Sequence, residues 1–178
     1  KKFSKHLLTP EFIVESFEKL YTELKKFNTT INIILTVSPV RHIKETLELN
    51  SVSKAALRLA CHTLSERYTD VEYFPAYEIL MDDLRDYRFY ASDMIHPSEE
   101  AENYIWTKFS ERYFDEPTRL FLEKWKTIQA AMTHRPFHPD SSAHRQFLQK
   151  TLEMLENLSS TINVDEEIKL IQNQLAQH

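Results

Sequence analysis

Hydrophobic residues recur at helical spacing over residues 9–27, and a nearly continuous apolar run follows at residues 31–37. Thr9 is a suitable N-cap and Pro10 suits the first helical position, so the first segment predicts an amphipathic helix. The second segment is rich in β-branched residues, which predicts a strand covered on both faces in a parallel sheet. The apolar face predicted for the helix consists of Ile13, Phe17, Leu20, Leu24 and Phe27.

The next stretch repeats the order of helix and strand. Residues 43–52 are polar and predict a loop with at most one turn of helix, before Asn50 or Ser51 caps a second helix. That helix is expected to end near Tyr68, and residues 71–74 predict a second short strand in the same sheet. The inner face predicted for the helix comprises Val52, Ala56, Leu59, Ala60 and Thr63.

A short helix at residues 77–84 leads into an aromatic loop, and the rest of the chain is helical in pattern. The last two predicted helices form a hairpin whose apolar faces must be covered. They pack either on the domain or on a second subunit, and the second possibility would give a homo-oligomer. We therefore expect an α/β domain at residues 1–114 and a helical extension at residues 115–178. The later helices are predicted at residues 98–113, 115–134, 142–158 and 165–175.

Composition excludes several classes of function. The 178 residues contain 22 Lys plus Arg against 27 Asp plus Glu, and the resulting net charge of −5 argues against a nucleic-acid partner. No apolar run reaches the length of a membrane span, and the basic start lacks the apolar segment of a signal peptide, so cytoplasm is the default location. The single Cys61 excludes an intrachain disulfide and a cysteine-based metal cage.

The chain contains no glycine, although average usage of about 7% would give roughly a dozen. Oxyanion and phosphate loops of α/β enzymes tend to use glycine, because it tolerates positive φ and close approach of a ligand. Position 1 is also not a methionine. Both observations lead us to expect a piece of a longer protein, without the part that carries its glycine loops.

The strongest candidate chemistry is the pair Asp93 and His96, which is followed by Pro97 and an acidic helix start. A carboxylate three residues ahead of an imidazole can fold back in the turn and fix the orientation and tautomer of the ring, as a general base requires. The alternative is that Asp93 caps a turn and His96 is a surface residue at the start of a helix.

A second polar group, Ser38, Arg41 and His42, follows the carboxyl end of the first predicted strand. Ligands of open α/β sheets bind at this edge, so these residues are candidates for substrate binding. The alternative is a proline turn with solvated charges. Ser38 is not an obvious nucleophile, because it lies in no Gly-x-Ser-x-Gly elbow and the following proline has no N–H to offer an oxyanion.

Near the carboxyl terminus, three histidines and an aspartate are close in sequence. Pro136 and Pro139 interrupt them, so their spacing fits no helical ligand pair, and we expect neither a metal site nor another cofactor. The four residues are His134, His138, Asp140 and His144.

Several motifs, in order along residues 9–114, resemble the GSCFA-domain family, a bacterial group that is itself similar to the SGNH (GDSL-like) esterases and acylhydrolases. The segment around the first strand and the block that contains Asp93 and His96 are part of this resemblance. The segments that carry it are residues 34–42, 53–55, 73–79, 84–90 and 93–97.

This resemblance implies part of a doubly wound, SGNH-like α/β/α domain with parallel strands, in which His96 is the general base and Asp93 orients it. The serine nucleophile and the oxyanion donors would lie in an amino-terminal block that this sequence lacks. The implied function is the carboxyl half of a serine esterase or acylhydrolase for small-molecule, glycan or lipid acyl esters, and the isolated chain would be inactive. The alternative is a non-catalytic binding module on the same scaffold.

Overall fold

The structure, a computed structural model, describes residues 6–44, 46–138 and 140–176. The chain separates after Arg112 into two units, residues 1–112 and residues 113–178. The first unit contains α1 (Pro10–Phe27), β1 (Ile33–Thr36), α2 (Leu47–Arg67), β2 (Val71–Phe74), α3 (Ala76–Glu78), a π-helix (Ile79–Leu84), a 3₁₀ turn (Tyr87–Phe89) and most of α4 (Glu99–Tyr113). The second unit contains α5 (Glu116–Thr133), α6 (Ser142–Leu158) and α7 (Asp165–Ala176).

β1 and β2 form a parallel two-stranded sheet in which Ile33 pairs with Val71 and Thr36 pairs with Phe74. An α/β first unit followed by a helical carboxyl-terminal part therefore agrees with the expectation. The expectation that β1 is covered on both faces is wrong for the described residues. Side chains along β1 alternate between half-buried and exposed positions, and Ile34 is 40% exposed.

α1 begins as its sequence predicts. The Thr9 hydroxyl accepts a hydrogen bond from the backbone N–H of Phe12 at 3.3 Å, and Pro10 occupies the first turn. The predicted apolar face is only partly correct, because Leu20 and Phe27 are exposed. The buried face is rotated slightly about the helix axis relative to the predicted one. The side chains of α1 that pack on α2 and the sheet are Ile13, Val14, Phe17 and Tyr21.

α2 begins earlier than predicted. Thr46, rather than Asn50 or Ser51, is the N-cap, and its hydroxyl accepts a hydrogen bond from the Leu49 N–H at 3.2 Å. The side chain of Asn50 instead accepts a hydrogen bond from the backbone N–H of His42 at 2.8 Å. The polar segment before α2 therefore supplies its own cap, and the helix gains a turn at its amino end.

The buried face of α2 also differs from the prediction. Val52 and Leu59 were placed inside but are about half exposed. Cys61 is buried, as expected for a small hydrophobic residue. The buried residues of α2 are Lys54, Ala56, Ala60, Cys61 and Leu64.

The second unit is a bundle of three helices. α6 packs against both α5 and α7, so the predicted hairpin finds its apolar partner within the unit. Its core contains Ile128, Leu148, Leu155, Val164 and Ile171. Across the described residues, none of the helices combines the length and hydropathy needed to cross a bilayer.

In the part of the chain that the structure describes, two residues have positive φ, and one of them, Arg85, ends the π-helix with φ 33° and ψ 33°. Its backbone N–H donates to the Leu80 carbonyl at 3.2 Å. Because this sequence has no glycine, the left-handed position that usually takes glycine at the end of a helix carries a bulky side chain instead.

We predict that Arg85→Gly stabilises the protein by about 0.5–1 kcal/mol. The relief of about 1–2 kcal/mol of left-handed strain exceeds the cost of about 0.4–1 kcal/mol from the freer unfolded chain. Urea unfolding of both proteins measures the change. Arg88→Gly is the control, because Arg88 has negative φ and its replacement is expected to lower stability. Equal losses in the two variants would contradict the assignment of strain.

Candidate active site

A closed loop places Asp93 and His96 just before α4. Tyr90 and Pro97 form an isolated antiparallel bridge across its base. The Ala91 N–H donates to the His96 carbonyl at 2.8 Å, and the Ser98 N–H donates to the Phe89 carbonyl at 2.8 Å. Residues 93–96, here called the Asp–His turn, therefore lie at the tip of a short hairpin.

Within the Asp–His turn, the Asp93 carboxylate uses both of its oxygens. Oδ2 lies 2.6 Å from Nδ1 of His96, and Oδ1 accepts hydrogen bonds from the backbone N–H groups of Ile95 at 2.9 Å and His96 at 3.1 Å. The hydrogen bond to His96, followed by these two backbone N–H groups, lowers the pKa of Asp93 to about 2. An ionised Asp93 accepts the Nδ1–H and leaves Nε2 of His96 as a proton acceptor.

Both side chains of this pair are accessible. The Asp93 side chain is 45% exposed and the His96 side chain is 58% exposed. In the described part of the chain, the imidazole has a hydrogen bond only to Asp93. The imidazole of His96 is therefore accessible from solvent.

The turn contains the second residue with positive φ, Met94, at φ 60°. Its backbone N–H donates to the Ala91 carbonyl at 2.9 Å, which closes a tight turn over residues 91–94. Non-glycine residues in this region cost free energy and occur where the surrounding contacts hold them, often at functional sites. The close approach of Asp93 to His96 coincides with a locally strained backbone.

Arg41 joins the end of β1 to the Asp–His turn. Its backbone N–H donates to the Ile95 carbonyl at 3.1 Å, and its Nη1 donates to the Met94 carbonyl at 3.1 Å. The centre of its guanidinium lies 3.9 Å from the ring centre of Tyr90, within the range of a cation–π interaction. The structure therefore brings Arg41 to the turn that contains Asp93 and His96, although Arg41 and Met94 are 53 positions apart in the sequence.

Ser38 and His42 occupy different surroundings. The Ser38 hydroxyl accepts a hydrogen bond from the Val40 N–H at 3.2 Å, and its carbonyl accepts one from Lys54. His42 lines a separate cavity of about 420 Å³ near α1 and α2, together with Leu49. No hydrogen bond within the described ranges connects His42 to the Asp–His turn.

Two concave surfaces adjoin the loop. An apolar groove of about 530 Å³ runs from Pro97 along α4 and one face of the sheet. A smaller pocket of about 200 Å³ lies on the Arg41 side. Side chains of the groove include Ile34, Val40, Phe74, Ile105 and Trp106, and those of the pocket include Arg41, Arg85, Tyr87 and Tyr90.

Lys54 is 2% exposed and hydrogen-bonded to Ser38 just after β1, and it is not among the site residues predicted from the sequence. A charged residue on the buried face of a helix is unusual and can indicate a special role. The predicted buried face of α2 did not include Lys54, so the sequence pattern did not reveal it. The residue does lie within residues 53–55, one of the segments that carry the family resemblance.

The carboxyl-terminal histidines belong to the second unit. The rings of His134 and His144 lie 5.3 Å and 6.2 Å from the ring of Phe147. Pro139, which was expected to interrupt the cluster, lies outside the described residues. In the ranges that are described, no group of three or more His, Cys, Asp or Glu side chains could hold a metal ion.

The sequence model of the GSCFA family matches residues 1–109. The chain belongs to the GSCFA family. The model of the GSCFA domain protein, C-terminal domain, matches residues 125–177. No curated protein and no solved structure matches the chain. The first GSCFA match includes the Asp–His turn and Arg41, whereas the second lies within the unit of α5, α6 and α7.

In this GSCFA protein, Asp93 is expected to contribute stability that disappears in acid. Its pKa is about 2 in the folded protein against an ordinary value of 3.8, so the contribution is complete above about pH 4 and is lost as the pH falls through about 2. The measurement is the unfolding free energy of wild type minus that of Asp93→Asn as a function of pH. A difference that does not change between pH 5 and pH 2 would contradict the hydrogen bonds assigned to the Asp93 carboxylate.

Proposed function

We propose that this GSCFA chain supplies the aspartate–histidine base of a serine ester hydrolase, on an SGNH-like doubly wound α/β/α scaffold. The observation that carries the proposal is the 2.6 Å contact between Asp93 Oδ2 and His96 Nδ1 at the edge where both strands of a parallel sheet end. This arrangement of an orienting carboxylate and an accessible imidazole is what serine activation requires.

In the proposed reaction, a serine from a segment outside this sequence donates a hydrogen bond to Nε2 of His96. His96 takes the hydroxyl proton as the serine oxygen attacks the ester carbonyl, and Asp93 stabilises the resulting imidazolium. His96 then returns the proton to the leaving alcohol. A water molecule, deprotonated by the same nitrogen, hydrolyses the acyl-enzyme and restores the serine.

The surroundings of the turn support an acyl ester of a small molecule, glycan or lipid as the substrate. The groove that begins at Pro97 is lined almost entirely by apolar side chains and can accommodate the apolar part of an ester. Arg41 lines the adjacent pocket with Tyr87 and Tyr90, which supports its proposed role in substrate binding. The corresponding roles of Ser38 and His42 stay predictions.

The same groove favours a second function of a different class. An apolar surface of this size beside α4 can hold an apolar ligand without any nucleophile. On this reading the chain is a non-catalytic binding module that keeps the scaffold of the esterases. Assembly through the carboxyl-terminal helices also stays a proposal.

In a longer version of the protein that contains the serine, we expect His96→Ala to abolish ester turnover with little loss of stability. Removing a general base typically costs about 10²–10⁴-fold in rate, and His96 is largely exposed. A serine-reactive phosphonate probe should label wild type and not His96→Ala. His62→Ala, which changes an exposed histidine of α2, is the matched control.

The outcomes of that experiment separate the two functions. Labelling that depends on His96 supports the hydrolase. Absence of labelling in wild type favours the binding module. Wild-type turnover in His96→Ala would refute the assignment of His96 as the base.

For the 178-residue chain alone, we expect no esterase turnover, because neither the nucleophile nor the oxyanion donors of the proposed mechanism are in this sequence. Chromogenic acyl esters of short and long chain length test this expectation. Turnover that is detectable in the wild-type chain and lost in His96→Ala would contradict it.

A further inference from the structure

Lys54 on α2 has surroundings that are unusual for a lysine. The residue is 2% exposed, and its Nζ donates a hydrogen bond to the Ser38 carbonyl at 2.5 Å. The ammonium also lies 5.9 Å from the ring centre of Tyr77. Within the described residues, no Asp or Glu carboxylate forms an ion pair with it. The positive charge is therefore compensated by one carbonyl and one aromatic ring.

Such an environment disfavours the charged form of the side chain. Burial lowers the pKa of Lys54, because the ammonium gives up water without gaining a carboxylate in return. Methionine has nearly the same length and would fill the same space without this penalty. Replacing buried charges by apolar side chains of similar volume is often neutral or stabilising. Stability of the fold alone therefore gives no reason for a lysine at this position.

The carbonyl that Lys54 holds belongs to the first residue of a segment that ends at the candidate site. Residues 38–41, here called the bracket segment, begin at Ser38 and end at Arg41. Inside the segment, the Val40 N–H donates to the Ser38 hydroxyl at 3.2 Å and closes a tight turn. At its far end, Arg41 donates to the carbonyls of Met94 and Ile95. One end of the bracket segment is thus fixed by Lys54 and the other by the Asp–His turn.

The contacts of Arg41 reach the backbone that determines the geometry of the pair. Met94 and Ile95 are the two residues between Asp93 and His96, and the Ile95 N–H also donates to Asp93 Oδ1. A shift of the bracket segment would change where their carbonyls are held. Because these contacts help to hold Met94 at positive φ, their loss would alter the turn and, with it, the distance between Asp93 and His96.

We propose that Lys54 is a positioning residue that holds the bracket segment in place and thereby keeps the Asp93–His96 hydrogen bond formed. The structural part of this proposal stands by itself, whereas its importance for turnover rests on the proposed hydrolase function. Lys54 is not a catalytic residue in this account, because it acts through Ser38 and Arg41.

The test compares Lys54→Met with wild type in the 178-residue chain. The tautomer of His96 is measured from its ring nitrogens by ¹⁵N NMR, and stability is measured by urea unfolding. We expect stability that is unchanged or higher, because the Ser38 residue is exposed and water can replace the lost donor. We expect the ratio of Nδ1–H to Nε2–H tautomer to fall by about twofold or more, since about twofold is the lower end of the coupling typical of residues in one hydrogen-bond network.

Lys44→Met is the matched control, because Lys44 is an exposed lysine of the loop before α2. It should change neither the tautomer ratio nor the stability. A large loss of stability in Lys54→Met would overturn the proposal and would show that the lysine is needed for the stability of the fold. An unchanged tautomer ratio at unchanged stability would also overturn it.

These readouts need no enzymatic activity, so they distinguish failure of this proposal from failure of the hydrolase assignment. If a longer version of the protein turns over esters, Lys54→Met should lower kcat by about tenfold and change KM by less than about twofold, as expected when only the reacting geometry is disturbed. A rise in KM at constant kcat would instead assign Lys54 to substrate binding.

Discussion

The parallel pairing of β1 with β2 is the constraint on which the candidate site depends. Since Ile33 pairs with Val71 and Thr36 with Phe74, the two strands end side by side and the chain leaves both of them at one edge. The segment after β1 can then reach the loop that precedes α4. Without this pairing, the Arg41 N–H and the Ile95 carbonyl would not meet, and each would need another partner.

The site is assembled from backbone carbonyls and cations rather than from glycine turns. In the bracket segment and the Asp–His turn, carbonyls of Ser38, Met94 and Ile95 accept hydrogen bonds from Lys54 or Arg41. The bond to Ile95 comes from the backbone N–H of Arg41, whereas those to Ser38 and Met94 come from charged side chains and are stronger than neutral hydrogen bonds. The bond to Met94 helps to hold a backbone with positive φ that glycine would adopt without strain. A sequence without glycine therefore builds a tight turn by offsetting local strain with long-range contacts.

Local signals in the sequence predicted local structure well. Thr9 and Pro10 mark the start of α1, the strand at Val71–Phe74 has the predicted bounds, and α6 spans the predicted residues. Asp93 and His96 were also accessible to prediction, because they are three residues apart and one turn determines their contact. Their spacing alone is enough to predict the contact, although hydrogen bonds from the distant residue Arg41 help to hold the turn.

Features that depend on distant partners were not predicted. The predicted buried faces of α1 and α2 were wrong, because the orientation of a helix is decided by what it packs against. The predicted start of α2 was also wrong, because Thr46 and not Asn50 or Ser51 caps the helix. The role of Lys54 follows from contacts with Ser38 and Tyr77, which only the fold brings near. Arg41 was selected for its position at the end of a strand, but its contact with the turn could not be read from the sequence.

The three-helix unit also implies an order of folding. Its core joins α5, α6 and α7, which are neighbours along the chain, so its contacts are local and its nucleus needs little loop closure. The first unit must instead close the long connection through α2 before β1 and β2 can pair. We therefore expect the carboxyl-terminal helices to form in microseconds to milliseconds and the sheet, with the Asp–His turn that depends on it, to be the slow and rate-limiting event.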